Sequence, residues 1–444
     1  MKGNRIVFSF GILSLLLSII LVATTCRKDS AGPSATIDTA AEYSAMKTGI
    51  YQIFKTGNGN TPPYYLWYDS VKTVNLDLFK TPFELLDSLM YKALDRFSYL
   101  AGKSQQDQLF NEGQYIGIGF GFKPDATGHL RVTFVFNDSP LATQGVKRGW
   151  IIKSVNGITV TSTTFTSSAF GKDAAGVSNT IVFEDLLGTE HTVIVSKKLI
   201  TMNTVLTSKV LQFNNKKIGY LAFESFLNPS VTELNTAFAM FKSQQINDLV
   251  VDLRYNGGGR VDVADSMASS IAGDIANGNV FVYFNFNNRY TSQNSSSDFG
   301  NSRYGFGLSR VFFITSEGTA SASELVINGC KPYMTVYMVG EKTYGKPVGM
   351  IPQPFANYDW VLMPIVFQTT NAKHEGNYFS GIDVNSTVGD DLIHELGDPQ
   401  EACLASVLAF IQTGYFPVVT KNLRTSKAWN IQQIRGLRSE IGAF

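Results

Sequence analysis

The sequence predicts a multidomain α/β protein, and three observations lead there. Apolar residues between 37 and 104 recur at helical spacing. Between 105 and 200 the period shifts to the alternation of half-buried strands. From 201 to 427 apolar strand-like runs alternate with helical ones, the pattern of a core with a largely parallel sheet.

The 444 residues suffice for two or three domains with proper cores. A 44% hydrophobic and 16% charged composition describes a folded protein rather than a disordered one. The net charge of +1, without a basic stripe, argues against a nucleic-acid partner. Lys2 and Arg5 followed by the apolar run Ile6 to Ala23 form a secretory signal. That run ends at Cys26 and resembles a bacterial lipoprotein processing site, which implies a lipidated Cys26 and a membrane-anchored, extracytoplasmic protein (periplasm or cell surface). An uncleaved anchor is the alternative. Residues 1–26 are thus a signal peptide, 27–36 a tether and 428–444 a C-terminal tail. Cys330 and Cys403 lie in apolar contexts and read as buried thiols, not a disulfide framework. The four histidines are scattered and no Cys/His cluster has zinc spacing, so no metal and no cofactor is expected.

In the first domain, Thr81-Pro82-Phe83-Glu84 is a capping box with proline at the first helical position. Phe83, Leu86, Met90, Ala93, Leu94 and Phe97 then give one buried face. In the second, Tyr115 to Phe120 precedes the alternating run Leu130 to Phe136, and Ser139 to Gly157 follows. This succession resembles a PDZ domain, which binds an extended peptide as an added strand. The resemblance implies a carboxylate-binding loop at Tyr115, Ile116, Gly117, Ile118 and Gly119. A small β-barrel without a peptide site is the alternative. In the third, strands are expected at Val205–Phe213, Ile218–Phe223, Phe281–Phe286, Arg310–Thr315 and Val361–Gln368. Helices are expected at Pro229–Lys242, Val263–Ala272, Ala322–Asn328 and Pro399–Gln412, and a polar loop at Gln293–Arg303.

Three segments of this last domain carry chemistry. Leu249-Val250-Val251-Asp252-Leu253-Arg254-Tyr255-Asn256-Gly257-Gly258-Gly259 is a buried strand running into a triple-glycine turn. Glycines there free backbone N–H groups to face a ligand oxygen. Gly318-Thr319-Ala320-Ser321-Ala322-Ser323-Glu324 places a hydroxyl among small residues, and Lys346 follows Ser321 by 25 residues. A serine needs a base to become a nucleophile, and a lysine is one when burial lowers its pKa.

Together these segments resemble the S41 family of serine peptidases, the C-terminal processing or tail-specific proteases. The resemblance extends over nearly all of the chain after the signal segment, including Asp95-Arg96-Phe97-Ser98-Tyr99 of the helical domain. It implies a ClpP/crotonase-like core, Ser321 as nucleophile and Lys346 as general base. Ser323 competes within the motif, but the 25-residue spacing matches Ser321. Backbone N–H groups of Gly258 and Ala322 would hold the oxyanion, with Thr343 near the lysine. The chain departs from the family where a glutamine often follows the lysine by four residues: Met350 stands there, with Gln353 the candidate substitute. Some members also carry an acidic residue eleven positions after the serine, where this chain has Pro332.

The implied function is an extracytoplasmic serine endopeptidase acting on unstructured or C-terminal segments of protein substrates. A non-catalytic peptide-binding lipoprotein is the second reading, and an acyl-CoA enzyme of the crotonase type the third. A Ser–His site would need His374 or His394, neither of which lies in a motif.

Overall fold

The computed structural model describes residues 39–301 and 304–417, so the signal segment, Cys26, the tether and the C-terminal tail lie outside the described residues. A six-stranded sheet forms the center of the core. Its order is Val205–Phe213, Lys216–Phe223, Asp248–Asp252, Arg310–Thr315, Thr335–Gly340 and Ser386–Thr387. The first pair is antiparallel and the others are parallel. Both faces are covered, which explains the unbroken apolar runs of the central strands. Leu249 and Val251 enter one apolar cluster with the helices Ser230–Gln244, Val261–Ala276 and Ala322–Cys330. Val250 enters the opposite cluster, closed by the helix Ala402–Thr413. Cys330 belongs to the first cluster and Cys403 to the second, so the sheet separates the two buried thiols.

The expected strand Val361–Gln368 is two strands in different sheets, Trp360–Met363 and Ile365–Thr370. Pro364 lies between them and has no N–H to donate to a ladder. Ile365–Thr370 joins an antiparallel sheet with Val280–Phe286, Ser295–Asp298 and Val348–Met350. The expected polar loop therefore contains a strand. Trp360–Met363 pairs instead with Tyr99–Gly102 and Gln353–Pro354.

The helical region is less helical than its periodicity predicts. Helix Thr39–Tyr51 is followed by short turns, and the capped helix starts at Pro82 but stops at Leu89. Beyond it, Tyr65 Oη accepts the Tyr91 N–H, and Asp95 Oδ1 accepts the N–H groups of Phe97 and Ser98. Those side chains offer the backbone an alternative to helix. The buried face is Leu85, Leu86 and Leu89, whereas Phe83 is 44% exposed against Trp360.

Residues 120–196 form an antiparallel sheet in the order Phe120–Pro124, Leu130–Val135, Ile151–Val155, Ser178–Glu184 and Glu190–Ser196. It has its own core of Leu130, Val132, Ile152, Ile181 and Phe183. Phe120–Pro124 is an edge strand with one ladder partner in that sheet. Gln114–Gly117 pairs with Lys198–Thr201 and ties the two ends of the domain together. Arg148 anchors the domain to the core, bonding Asp390 Oδ1 at 2.9 Å beside the fully buried Arg254, which also holds Asp252 and Glu401.

Candidate active site

The site is assembled where two parallel neighboring strands end. Asp248–Asp252 delivers the glycine turn and Arg310–Thr315 the Ser321 loop, the crevice expected of an open α/β sheet. Asn256, fully buried, latches the two together. Its Oδ1 accepts the Gly258 N–H at 2.8 Å and the Ser323 hydroxyl at 2.9 Å, and its carbonyl accepts the Ala320 N–H. Ser323 is thus committed to the scaffold. Thr319 fixes the start of the loop by donating to the Leu253 carbonyl while accepting the Ser316 N–H.

Ser321 stands at φ 56° and ψ −115°, just before the helix Ala322–Cys330. Positive φ is uncommon for a residue with a Cβ and marks a backbone held by its surroundings. The turn is tight enough that a Cβ on Gly258 would lie 2.8 Å from Ser321 Cβ and 2.9 Å from the Ala320 carbonyl oxygen. Only glycine fits there.

Glu324, 0% exposed, organizes both motifs. Its Oε2 accepts the backbone N–H of Ser321 at 2.9 Å and of Lys346 at 2.8 Å. Its Oε1 accepts the Gly345 N–H at 2.7 Å and the Thr343 hydroxyl at 2.6 Å. Burial holds this carboxyl above the ordinary range, and the four donors offset only part of that rise. With donors at all four positions, the ionized carboxylate is the form these partners accommodate.

Lys346 is 7% exposed, and burial pushes its amine down to about 8, against the opposing attraction of Asp95 and Glu324. An amine in that range accepts protons near neutral pH. The Phe97 ring lies 5.5 Å from Nζ. The loop before the lysine is clasped by Arg96, which donates to the carbonyls of Tyr344, Gly345 and Phe379. The Asp95-Arg96-Phe97 segment thus reaches the lysine from the N-terminal region.

No hydrogen bond joins Ser321 Oγ to Lys346 Nζ among the described residues; Nζ points to Met350 Sδ, at 3.8 Å. Gln353 does not stand in for the missing glutamine. Its amide bonds the Ile351 carbonyl at 3.3 Å, and its backbone pairs with Leu362 in the small sheet. Thr343 acts on Glu324 rather than directly on the lysine side chain. Gly258 does not present a free N–H, because Asn256 takes it. Phe226 bonds the flanking residues Gly258 and Arg260, which turns the N–H of Gly259 away from it. Gly259 lines a cleft of about 780 Å³ with Phe110, Phe284, Met350 and Phe367. Ala322, the first residue of its helix, has no intrahelical partner for its N–H.

The other candidates lie elsewhere. His394 Nδ1 bonds Asp391, and His374 stacks on Tyr283. Tyr115, Ile116 and Gly117 are part of the strand paired with Lys198–Thr201, so only Ile118 and Gly119 remain outside that ladder. Among the described residues no group of three His, Cys, Asp or Glu side chains could hold a metal ion. Glu324 and Asn256 stand inside motifs visible in the sequence, but a glutamate three residues after a serine signals a helix cap before it signals anything else.

Residues 217–385 match Peptidase family S41, and residues 63–99 match the Peptidase S41 N-terminal domain. A Staphylococcus aureus (strain bovine RF122 / ET3-1) protein named "Probable CtpA-like serine protease" is 26% identical over 352 residues, 77% of this chain and 65% of that protein. A protein of the same name from Staphylococcus epidermidis is 25% identical over 64% of this chain and 57% of its own length. The chain thus spans roughly half to two thirds of the curated relatives it matches. A Bacteroides fragilis NCTC 9343 crystal structure named "Putative S41 protease" shares the fold, with a TM-score of 0.65 at 22% identity over 87% of this chain and 99% of that one. The chain thus carries a stretch that matches the core of peptidase family S41 and one that matches its N-terminal domain, in a fold shared with a solved S41-type structure.

Proposed function

We propose that this protein is a membrane-tethered, extracytoplasmic serine endopeptidase in which Ser321 is the nucleophile and Lys346 the general base. The observation that carries the reading is the shared Glu324 oxygen, which ties the backbone of both residues to one buried point. The chemistry follows from the geometry. Neutral Lys346 takes the Ser321 proton as Oγ attacks the scissile carbonyl carbon. The N–H groups of Ala322 and Gly259 receive the oxyanion, a task for which each donor is worth ~10²–10³ in rate. The Lys346 ammonium then protonates the leaving amine, an acyl-enzyme remains on Ser321, and water activated by Lys346 releases it. For the first step Nζ turns from Met350 toward Ser321 Oγ.

Substrate is an unstructured or C-terminal protein segment. The open edge of Phe120–Pro124 supports this, since a peptide can add there as a strand in a PDZ-like manner, with its carboxylate near Ile118 and Gly119. Location outside the cytoplasm rests on the signal pattern and Cys26.

The test is cleavage of an unfolded protein by full-length enzyme in detergent, with Ser321→Ala and Lys346→Ala alongside. Loss in both variants supports the dyad. Persistence in Lys346→Ala refutes it. The absent Ser321–Lys346 hydrogen bond favors a second reading, a peptide-binding lipoprotein without catalysis. Folded wild type that binds peptide and never cleaves it would establish that reading.

A further inference from the structure

Lys346 Nζ has one polar side-chain contact among the described residues, the thioether of Met350 at 3.8 Å. A thioether is a weak acceptor. The nearby carboxylates do not replace it, because their oxygens are engaged elsewhere. Asp95 accepts the hydroxyls of Tyr65 and Ser98 and the N–H groups of Phe97 and Ser98. Glu324 accepts its four donors described above. Arg96, next to Asp95, is engaged with the carbonyls of Tyr344, Gly345 and Phe379. The Phe97 ring and this one sulfur atom therefore stand beside the amine.

The residue that carries that sulfur borders open space. Met350 is half-buried and lines the 780 Å³ cleft. It ends the strand Val348–Met350, where the register skips from Phe367 at Gly349 to Ile365 at Met350. Such an irregularity re-aims a side chain.

We infer that Met350 is a modification site: a peroxide converts its thioether to the sulfoxide, and the new oxygen becomes the acceptor for Lys346 Nζ that the thioether is not. This rests on Lys346 acting as the base for Ser321. A sulfur lone pair attacks one peroxide oxygen, the O–O bond breaks and an S–O bond forms. Sulfur loses two electrons, and hydrogen peroxide gains them and leaves as water. The sulfoxide oxygen projects one bond beyond a sulfur that lies 3.8 Å from Nζ, so a rotamer that aims it at the amine brings it within hydrogen-bond range. It holds the ammonium form and shifts the enzyme's working range to higher pH. Methionine sulfoxide reductase reverses the change.

The experiment follows full-length enzyme in detergent before and after hydrogen peroxide. It reads kcat/KM against pH, and the Met350 peptide by mass. Oxidation is expected to move the acid limb up by about one pH unit, which lowers the rate about tenfold below the limb and leaves the alkaline plateau in place. Reductase restores the original profile. Met350→Leu, a swap of similar volume, keeps the same profile treated and untreated. Met350→Gln shows a raised limb without peroxide. Three results overturn the inference: an unmoved limb with Met350 oxidized, an equal peroxide effect in Met350→Leu, or Met350 left unoxidized while other methionines react. Failure of the dyad itself is read separately, as cleavage that survives in Ser321→Ala or in Lys346→Ala.

Discussion

The backbone N–H groups of Ser321 and Lys346 donate to the same oxygen, Glu324 Oε2, at 2.9 and 2.8 Å. Two residues 25 apart in sequence are thereby fixed relative to one another by a carboxylate in the first turn of the helix that follows Ser321. A buried acceptor with four donors leaves little room for drift in either partner.

Glu324→Gln keeps the shape and removes the charge. The amide offers one oxygen and an NH2 that faces donors. The variant is expected to lose ~2–4 kcal/mol of stability and ~10–100-fold in kcat/KM. Thermal unfolding and peptide cleavage measured together check this; unchanged cleavage would remove Glu324 from the account.

The pH dependence follows from the lysine. With Lys346 at about 8, kcat/KM falls about tenfold per unit below that value, because the base is then protonated. Stability has its own sign. Burial holds the folded amine below its usual 10.5, so between about 8 and 10.5 the unfolded chain binds more protons and stability rises with pH. The contribution is at most about 3 kcal/mol. Lys346→Met removes that rise, which denaturation at several pH values will show.

Gly258→Ala adds a Cβ at φ 107°, 2.8 Å from Ser321 Cβ. The cost is expected at ~1–3 kcal/mol from strain and overlap, with cleavage reduced at least tenfold as the Ser321 loop shifts. A cleavage assay on the folded variant measures it.

The two serines of the motif separate cleanly. Ser323→Ala loses bonds to Asn256 and ~1–2 kcal/mol, with cleavage retained, because Ser323 Oγ is committed to the glycine turn. Ser321→Ala keeps the fold and loses cleavage. Calorimetry and cleavage of both variants decide between them.

Much of this was legible in the residues. The apolar run Leu249–Val251 followed by Gly257-Gly258-Gly259 identifies a buried strand and a glycine turn, and the structure has both, with Gly258 and Gly259 at positive φ. The alternating strand Leu130–Val135 and the helix after Ser321 were equally readable, because period and capping are local. What escaped was nonlocal. Pro364 divides an apolar run whose halves join different sheets, and nothing within the run names their partners. The helical spacing past Leu89 yields to Asp95, whose carboxylate prefers a turn that also serves the lysine loop. Gly258 looked like an oxyanion donor because glycine permits the geometry, but Asn256 two residues earlier takes its N–H. The neighbor of Lys346 is Met350 and not Gln353, whose backbone is drawn into the sheet with Leu362, a pairing the sequence does not announce.

The most direct test of the account is labeling with a fluorophosphonate, which reacts covalently with an activated serine. Full-length enzyme is digested after labeling across a pH series, and the modified peptide is located by mass. The account predicts a single label on Ser321, a rate that rises with pH to a midpoint near 8, and loss of labeling in Lys346→Ala. Labeling of another serine, or of Ser321 at a rate indifferent to Lys346, would contradict it.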